Sequence, residues 1–446
     1  MKDVTQRPRV LLCATTTGYQ TRMFDEAAAR LGVELVLATD RCDRLDDPWR
    51  DRAIPVRLHD EAAALAALQG TRLDGVLAVG DRPVALAALV AEARRLPWHS
   101  VSGARASRDK RWFRARQRAA GLPAPWSTTV AAGQTLPPAG VSYPCVVKPL
   151  VLSGSRGVIR ADCPEQLTTA LARVSALLTA PDVRELRDDA AATIQIEEYI
   201  EGDEFALEGL MDRGRLHVLA LFDKPEPLTG PYFEETVYLT PTARTDTHAL
   251  AIVSEVTRAA QAVGLWHGPV HAECRVSPGG AVWVLEVAAR PIGGLCARAV
   301  TFDGPNGRGV ALEDVLLAHA AGLGAPHWRL ARPAAGVMMV PIPRSGVLRG
   351  VAGADGASAV PGVTAVVVTA KIDQRLVALP EGASYLGFIF ADGPDHTAVH
   401  AALRAAHARL VFQIDTVIDV RVAGPEAGAP TSSGAVRSRA AGPRLR

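Results

Sequence analysis

The stretch VHAECRVSPGGAVWVLEVAARPIGG, residues 270–294, decides the fold at the centre of this chain. Apolar residues alternate with polar ones on both sides of Ser-Pro-Gly-Gly (277–280), which predicts two strands joined by a tight turn. In a symmetric hairpin Glu273 lies directly opposite Glu286, with about 5 Å between the Cβ atoms, where like charges repel. Two carboxylates held this close must take up a proton or share a cation. The hairpin therefore predicts a functional site.

A third charged residue of the same stretch strengthens this prediction. Glu273, Glu286 and Arg290 share strand parity and are expected on one face. Hard oxygen ligands suit Mg²⁺, which binds one or two carboxylates together with phosphate oxygens. Arg290 would then neutralise charge on a transferred phosphoryl group. The alternative is a pair of surface glutamates screened by water, and the apolar flanks (VWVLEVA) weigh against it.

The composition excludes several classes of protein. The 446 residues are 48% hydrophobic and 22% charged, which is typical of a globular chain of two to four domains. No apolar run approaches the ~20 residues that span a bilayer, and the first residues do not resemble a signal peptide. Six cysteines are scattered singly, which fits a reducing compartment. A cytoplasmic location without a membrane partner is expected.

The charge distribution gives no support for nucleic-acid binding. The net charge is +2, and the tail 424–446 alone contains four arginines and one glutamate. The rest of the chain has no excess of basic residues with which to bind nucleic acid. The tail is rich in Gly, Pro, Ala and Ser, which predicts a disordered segment.

The pattern of elements predicts a multidomain fold of mixed α/β and α+β class. Strands and helices alternate over residues 1–105, which predicts a Rossmann-like domain with a parallel sheet. The first loop, TTTGYQ, lacks the GxGxxG pattern, so no dinucleotide is assigned there. Residues 106–330 indicate a largely antiparallel α+β domain, and 331–423 a small α+β domain.

Two segments of the second domain carry residues suited to a nucleotide. Lys148 is followed by SGSRGV (153–158), whose small residues let backbone N–H groups approach an anion. IQIEEYIEGDE (194–204) offers carboxylates beside a turn glycine. Taken singly, a lysine before a glycine turn and an acidic strand end are both common structural features.

The order of these segments is more informative than any one of them. Lys110, Lys148 with its small-residue loop, EEYIEGDE, VHAE and LEVAARPIGG together resemble the ATP-grasp superfamily over residues 106–330. The front of the chain is similar to the domain that precedes ATP-grasp domains. The resemblance implies ATP and Mg²⁺ as cofactors.

The resemblance also implies roles for individual residues. Those implied to contact ATP are the phosphate lysines Lys110 and Lys148, the loop residues Ser155 and Gly157, the adenine hinge Glu197, Glu198 and Ile200, and the ribose carboxylate Glu204. Glu273 and Glu286 match the metal ligands, and Arg290 matches the catalytic arginine near the γ-phosphate.

One position departs from the family pattern. ATP-grasp proteins commonly have Asn two residues after the second metal glutamate, and this chain has Ala288. The chain therefore lacks one residue of the family's full two-metal arrangement. In the predicted hairpin His271 lies opposite Ala288, where it would serve as a ligand or substrate contact, or equally as a hydrogen-bonding neighbour of the ligands.

Finer features are similar to the L-amino acid ligases, which are carboxylate–amine ligases. They are VHAE, FDKPEPLTGPYFEETVYLTP and the C-terminal segments VMMVPIPRSGVLRGV and LPEGASYLGFIFADG. The resemblance implies ligation of two amino acids through an acyl phosphate. It implies Glu234 or Glu235 as an anchor for a substrate ammonium group, and Gly294 and Leu295 at the acceptor pocket.

Two other functions stay open. One is a biotin-type carboxylase, although no MKM attachment site is present in the chain. The other is a nucleotide-binding module without turnover. The presence of Lys110, Lys148, Glu273, Glu286 and Arg290 argues against it. The expected partners are amino-acid substrates. A homodimer is the expected assembly, because dimers are the commonest oligomers of soluble proteins.

Overall fold

The computed structural model describes residues 6–15, 18–40, 53–134, 136–304, 307–324 and 328–416. The predicted disordered tail at 424–446 lies outside the described residues, as does Cys42. Within those ranges no helix combines the length and apolar character needed to cross a membrane.

The front of the chain is a parallel α/β unit. Its elements are β1 Arg9–Ala14, α1 Gly18–Leu31, β2 Glu34–Thr39, β3 Ile54–Pro55, α2 Glu61–Ala67, β4 Gly75–Val79, α3 Val84–Arg94 and α4 Val101–Arg108. The strand order is β3-β2-β1-β4, with parallel pairing throughout. β1 and β4 are almost wholly buried because parallel sheets are covered on both faces. This confirms the α/β class predicted for the front of the chain.

A second unit is an antiparallel sheet backed by a helix. It contains α5 Lys110–Ala119, β5 Ser127–Ala131, β6 Cys145–Pro149, β7 Ile159–Ala161, α6 Pro164–Leu178, α7 Pro181–Arg184 and β8 Thr193–Glu198. The order is β5-β8-β6-β7. α6 packs its apolar face on β6 and β7. Asp109 caps α5 by accepting a hydrogen bond from the backbone N–H of Arg111 (2.9 Å).

The remaining elements surround one large sheet. They are β9 Asp203–Asp212, β10 Arg215–Lys224, β11 Val237–Thr240, α8 Asp246–Val263, β12 Gly268–Val276, β13 Val282–Ala288, β14 Thr301–Gly304, β15 Gly307–Ala311, α9 Leu312–Ala320, β16 Arg329–Leu330, β17 Ala334–Val340, β18 Gly346–Ala352, α10 Ala354–Ser358, β19 Val363–Val368, β20 Arg375–Leu376, β21 Gly387–Gly393, α11 His396–His407 and β22 Val411–Asp415.

The large sheet continues through the boundary predicted near residue 330. Its order is β13-β12-β9-β10-β11-β17-β21-β19, and its pairing is antiparallel. β17, β21 and β19 belong to the predicted C-terminal domain, yet they extend the sheet of the middle domain. β14, β15 and β16 form one small sheet, and β18, β20 and β22 form another. The division at 330 and 331 stays a prediction about domains.

The hairpin of β12 and β13 has the predicted register. Glu273 pairs with Glu286, and His271 pairs with Ala288. The turn is closed by a hydrogen bond from the Gly280 N–H to the Ser277 carbonyl (2.8 Å). A register shift follows Glu273, so Leu285 is an extra residue of β13 and forms a β-bulge.

A buried arginine of α5 stabilises this bulge. Arg114, only 1% exposed, donates to the carbonyl of Leu285 (2.9 Å) and forms a salt bridge with Glu197 on β8 (3.1 Å). Gln117 donates to the carbonyl of Val284 (2.9 Å). α5 therefore connects the edge hairpin to the second sheet. It does so through hydrogen bonds to backbone carbonyls at the bulge.

We expect Arg114→Met to destabilise the protein strongly. It leaves the Glu197 carboxylate and the bulge carbonyls buried with fewer partners, and breaking one side of a buried ion pair costs about 3–5 kcal/mol. Urea unfolding followed by tryptophan fluorescence should show a clearly lower midpoint. Arg116→Met on the same helix is the control and should change the free energy of unfolding by less than about 0.5 kcal/mol. Equal midpoints for the two variants would contradict this account of the hairpin.

Candidate active site

A cavity of about 730 Å³ lies where the front unit, the second sheet, the large sheet and the C-terminal strands meet. Each part contributes lining residues, for example Asp81, Lys148, Glu273 and Tyr385. Clefts between domains are where small-molecule sites commonly form.

The cavity gathers the predicted site residues from distant parts of the chain. Those that line it are Lys110, Lys148, Ser155, Glu197, Glu198, Ile200, Glu204, Glu235, His271, Glu273, Glu286, Arg290 and Gly294. Gly157 and Leu295 lie behind the lining. The Gly157 N–H donates to the Pro380 carbonyl (2.7 Å), and Leu295 is buried beside the wall.

Two lysines line the cavity. Lys110, at the start of α5, donates to the carbonyls of Leu150 (3.3 Å) and Leu152 (3.1 Å). Lys148, on β6, forms a buried salt bridge with Glu197. Burial lowers the pKa of Lys148 to about 8, with the nearby Arg114 and Lys110 acting in the same direction against the attraction of Glu197. The lysines are placed to meet an anion.

The Glu197 side chain is committed to neighbouring protein groups. It accepts hydrogen bonds from Arg114, Lys148 and Gln195 (2.7 Å from the last). Burial opposes its ionisation, but the two cations outweigh burial and lower the pKa of Glu197 to about 2. Its carboxylate therefore holds Lys148 in place, and its contact with adenine stays a prediction.

The register of three strands explains the next group of charges. Glu204 on β9 is the cross-strand neighbour of Lys224 on β10 and of Arg275 on β12. Its carboxylate accepts from Lys224 (2.7 Å) and Arg275 (2.8 Å). Arg275 also donates to the Ile200 carbonyl (2.6 Å) in the predicted hinge. The carboxylate predicted to bind ribose is thus already paired with two cations.

Lys224 is the central residue that sequence reasoning missed. Its ammonium group contacts Glu204, Glu235 (2.6 Å) and Glu273 (3.1 Å), and its side chain is 2% exposed. Burial disfavours the ammonium, but the three carboxylates outweigh burial and raise the pKa of Lys224 well above its usual value.

The carboxylates around Lys224 respond differently to their surroundings. Burial and the charge of Glu273 raise the pKa of Glu235 to about 7. Burial also opposes ionisation of Glu273, yet Lys224 and His271 outweigh it and hold the pKa of Glu273 well below its usual range. Both Glu235 oxygens are occupied, one by Lys224 and the other by the Tyr238 hydroxyl (2.7 Å). A substrate ammonium group at Glu235 would share this carboxylate with both.

The facing glutamates of the hairpin retain oxygens for a cation. Among the described residues, every polar contact of Glu273 uses Oε1, and Glu286 has no hydrogen-bond or salt-bridge partner. Both side chains line the cavity. One or two carboxylates that face a phosphate-sized space are the protein ligands that Mg²⁺ usually has. The residues present therefore fit the implied metal.

Arg290 is held by a partner from the front unit. Its guanidinium donates two hydrogen bonds to Asp81, which follows β4 (2.8 and 3.2 Å). Burial opposes ionisation of Asp81, but Arg290 outweighs it and lowers the pKa of Asp81. A bidentate pair of this kind fixes the plane of a guanidinium as well as its position. The front unit thus orients the predicted catalytic arginine.

His271 contacts a buried glutamate rather than the space beside Ala288. Its Nδ1 lies 3.1 Å from Glu208 Oε2, the cross-strand neighbour on β9, and its Nε2 lies 3.7 Å from Glu273 Oε1. Burial disfavours the imidazolium, but the hydrogen bonds to Glu208 and Glu273 outweigh it and raise the pKa of His271 to about 9. A protonated ring donates hydrogen bonds and does not bind a metal, which favours the second of the two expected roles.

The C-terminal segment LPEGASY (379–385) forms a wall over the small-residue loop. Arg156 donates to the Glu381 carbonyl (2.7 Å), and the Glu381 carboxylate forms a salt bridge with Arg173 of α6. Tyr385 and Phe388 line the cavity near Gly294. At Gly294, with φ +61°, an added Cβ would come within 3.0 Å of the Phe388 ring, so glycine is required at this close approach.

Two family models match the chain where these features lie. An ATP-grasp domain matches residues 141–299, and the L-amino acid ligase C-terminal domain 2 matches residues 338–415. The chain therefore combines an ATP-grasp domain with an L-amino acid ligase C-terminal domain. This combination is that of ADP-forming carboxylate–amine ligases, which make carbon–nitrogen bonds and use ATP and Mg²⁺.

Solved structures of ATP-grasp enzymes agree with this assignment. The L-amino acid ligase from Bacillus licheniformis matches with a TM-score of 0.77 and 27% identity, covering 92% of this chain and 100% of that chain. Phosphoribosylglycinamide synthetase from Anaerococcus prevotii matches with a TM-score of 0.64 and 14% identity, covering 92% and 100%. Biotin carboxylase from Campylobacter jejuni matches with a TM-score of 0.62 and 15% identity, covering 91% and 92%. At these last two identities the likeness concerns the fold alone. A comparison with curated protein sequences returned no match.

Sequence reasoning missed the partners that hold the predicted site residues of this ligase. Lys224 stands in LFDKPEP and Asp81 in VGDRPVA, and neither segment has a local pattern that separates it from an ordinary strand end or turn. Arg275 is on the predicted hairpin, so its strand parity with Glu273 was a usable signal. Glu381 contacts residues more than 200 positions away in sequence, and only the tertiary structure brings them together.

We expect Asp81→Asn to lower turnover of this ligase while leaving the fold intact. The amide replaces one of the two acceptor oxygens with an NH₂ donor, so the bidentate pair with Arg290 is lost. Loss of orientation of a group beside the reacting atoms costs about 10–100-fold in kcat. Phosphate release from ATP with an accepted amino-acid pair measures the effect. Asp25→Asn, an exposed carboxylate of α1, should keep the original rate. Full activity of Asp81→Asn would mean that Arg290 needs no partner.

The affinity for ATP is expected to fall as the pH rises through about 8. Below that pH Lys148 is charged and attracts phosphate, and above it the ammonium group loses its proton. If only the charged form binds, the Kd rises about tenfold between pH values of about 7 and about 9. Calorimetric titration with ATP measures this change. Lys148→Arg, which stays charged, should give a nearly flat profile, and an equal rise in both proteins would contradict the role of Lys148.

Proposed function

We propose that the protein joins two amino acids through an acyl phosphate, with ATP converted to ADP and phosphate. The observation that carries this proposal is the shared cavity. It combines Lys110, Lys148, Glu273, Glu286 and Arg290 with a wall contributed by the region that matches the L-amino acid ligase C-terminal domain. Phosphate-binding groups and a substrate-sized space therefore open into the same volume.

In the first step an oxygen of the substrate carboxylate attacks the γ-phosphorus of ATP. The bond from this phosphorus to the β–γ bridging oxygen breaks, and ADP leaves with that electron pair. Lys110, Lys148 and Arg290 supply positive charge toward the phosphate oxygens, where charge is redistributed during transfer. Glu273 and Glu286 are the proposed ligands of Mg²⁺, which supplies Lewis-acid stabilisation of these oxygens when bound.

In the second step the amine of the other amino acid attacks the acyl carbon of the acyl phosphate. The bond from that carbon to the phosphate oxygen breaks, phosphate leaves, and the nitrogen loses a proton as the amide forms. The acyl phosphate must be kept from water, because hydrolysis would waste it. The segment that contains Glu381 covers the small-residue loop and contributes to this exclusion.

The proposed substrate contacts surround Lys224 and Phe388. Glu235 offers a carboxylate, and Gly294 lies against an apolar surface that includes Phe388 and Met339, with Leu295 buried behind it. His271 contributes as a hydrogen-bonding neighbour of Glu273. Glu234 lies beside this group, and burial raises its pKa. The close approach of Gly294 to Phe388 limits the volume there, and this supports an acceptor pocket with a size limit.

A matrix of amino-acid pairs with ATP and Mg²⁺ tests the proposal. Phosphate release and the mass of the product are scored for every pair. A product with the mass of the two amino acids minus water supports the ligase. Stimulation by bicarbonate and biotin, with no response to amino acids, would instead support the carboxylase function. ATP binding without phosphate release for any pair would support a module without turnover.

We expect Glu286→Gln and Arg290→Met each to lower phosphate release by at least about 100-fold, because both remove charge that acts on the transferred phosphoryl group. Circular dichroism should show an unchanged fold. Glu92→Gln, an exposed carboxylate of α3, is the matched control and should keep full activity. Turnover close to the original rate in both site variants would place the active site elsewhere.

A further inference from the structure

A second cluster of ligating side chains lies outside the cavity just described. It consists of Asp212 at the end of β9, His267 immediately before β12, and His319 in the last turn of α9. None of the three lines the active-site cavity. One ligand atom from each lies within 4.8 Å of those from the other two.

The three side chains converge on one carboxylate oxygen. His267 Nδ1 is 3.3 Å from Asp212 Oδ1, and His319 Nε2 is 3.5 Å from the same oxygen. The imidazole rings of His267 and His319 stack with 4.1 Å between centroids and 25° between planes. Both histidines are 8% exposed, so the cluster is shielded from solvent on the histidine side.

The two ring nitrogens that face Asp212 have no hydrogen-bond partner within the part of the chain that the structure describes. Their distances to Asp212 are short, but the directions do not suit hydrogen bonds. A buried polar atom without a partner costs stability, so such atoms call for an explanation. The neighbouring His99 shows the contrast, since its ring contacts the Pro269 carbonyl and the Trp266 N–H.

The spacing is that of ligands around one metal ion. With metal–ligand distances of about 2.0–2.1 Å, neighbouring ligand atoms at a tetrahedral centre are about 3.4 Å apart. The two distances to Asp212 Oδ1 fall on either side of this value.

We propose that Asp212, His267 and His319 form a binding site for a transition-metal ion of the Zn²⁺ class. Two imidazoles and one carboxylate suit Zn²⁺ rather than Mg²⁺, which prefers an all-oxygen shell. The fourth position would be filled by water on the exposed side of Asp212. The ion would connect β9, the start of β12 and α9, and thereby stabilise the end of the large sheet where β9 finishes and β12 begins.

The other acidic cluster of the molecule has a different character. Glu204, Glu235 and Glu273 also lie within ligand distance of one another, but the Lys224 ammonium group already contacts all three. A fixed cation therefore satisfies that cluster. The Asp212 cluster has no such lysine among its contacts in the described ranges.

The test uses the full chain without an affinity tag, stripped of metal and titrated with Zn²⁺ in a calorimeter. We expect one equivalent to bind to the original protein. Asp212→Asn, which preserves shape, and His319→Asn should each weaken binding at least about tenfold. His248→Ala, an exposed histidine of α8, is the matched control and should bind as before. Glu286→Gln should also retain this equivalent, which separates it from metal held at the active site.

Two further measurements keep the outcome clear. Co²⁺ bound in place of Zn²⁺ should give the visible absorption bands of a four-coordinate site in the original protein and lose them in Asp212→Asn. Zn²⁺ should raise the melting temperature of the original protein and of His248→Ala, because a ligand that binds the native state stabilises it. Equal Zn²⁺ affinity in Asp212→Asn and the original protein, or no binding at all, would overturn the proposal.

Discussion

The ammonium group of Lys224 lies among three carboxylates that could not otherwise be buried together. Glu204 is on β9, Glu273 is on β12 and Glu235 is in the segment before β11, and their oxygens are close enough to coordinate one ion. Without a cation between them, repulsion would force protonation or open the sheet. Lys224 therefore allows these three carboxylates to line one part of the cavity. It leaves one oxygen of Glu273 facing the space where phosphate and Mg²⁺ are proposed to bind.

The same arrangement recurs around the cavity, with each cation held by a carboxylate from another element. Glu197 holds Lys148, and Asp81 holds Arg290. The carboxylate partly offsets the attraction of the paired cation for an anionic ligand, but it holds the cation in a defined position. For phosphoryl transfer this exchange is favourable, because catalysis depends on groups placed in advance rather than on groups that reorganise during the reaction. The Asp81–Arg290 pair also connects the front unit to the segment that follows β13 of the large sheet.

Much of the fold and part of the site could be predicted from local patterns. The hairpin register followed from alternation and the Ser-Pro-Gly-Gly turn, so the pairing of Glu273 with Glu286 was predicted before any contact was known. The bulge at Leu285 was not predicted, because it depends on hydrogen bonds from Arg114 and Gln117 on a helix far away in sequence. The C-terminal strands were expected in a separate small domain, but edge pairing with β11 joins them to the large sheet.

By itself the sequence determined which segments become strands and helices, which residue types face the cavity, and the ATP-grasp order of lysines, glutamates and arginine. These properties depend on periodicity, turn chemistry and the order of residues along the chain. Only the tertiary structure decided the partners: Lys224 for three glutamates, Asp81 for Arg290, Glu208 for His271, and Glu381 for Arg173. The physical reason is that an ion pair depends on distance in space. Cross-strand register and domain packing set that distance, and neither is encoded in any short segment.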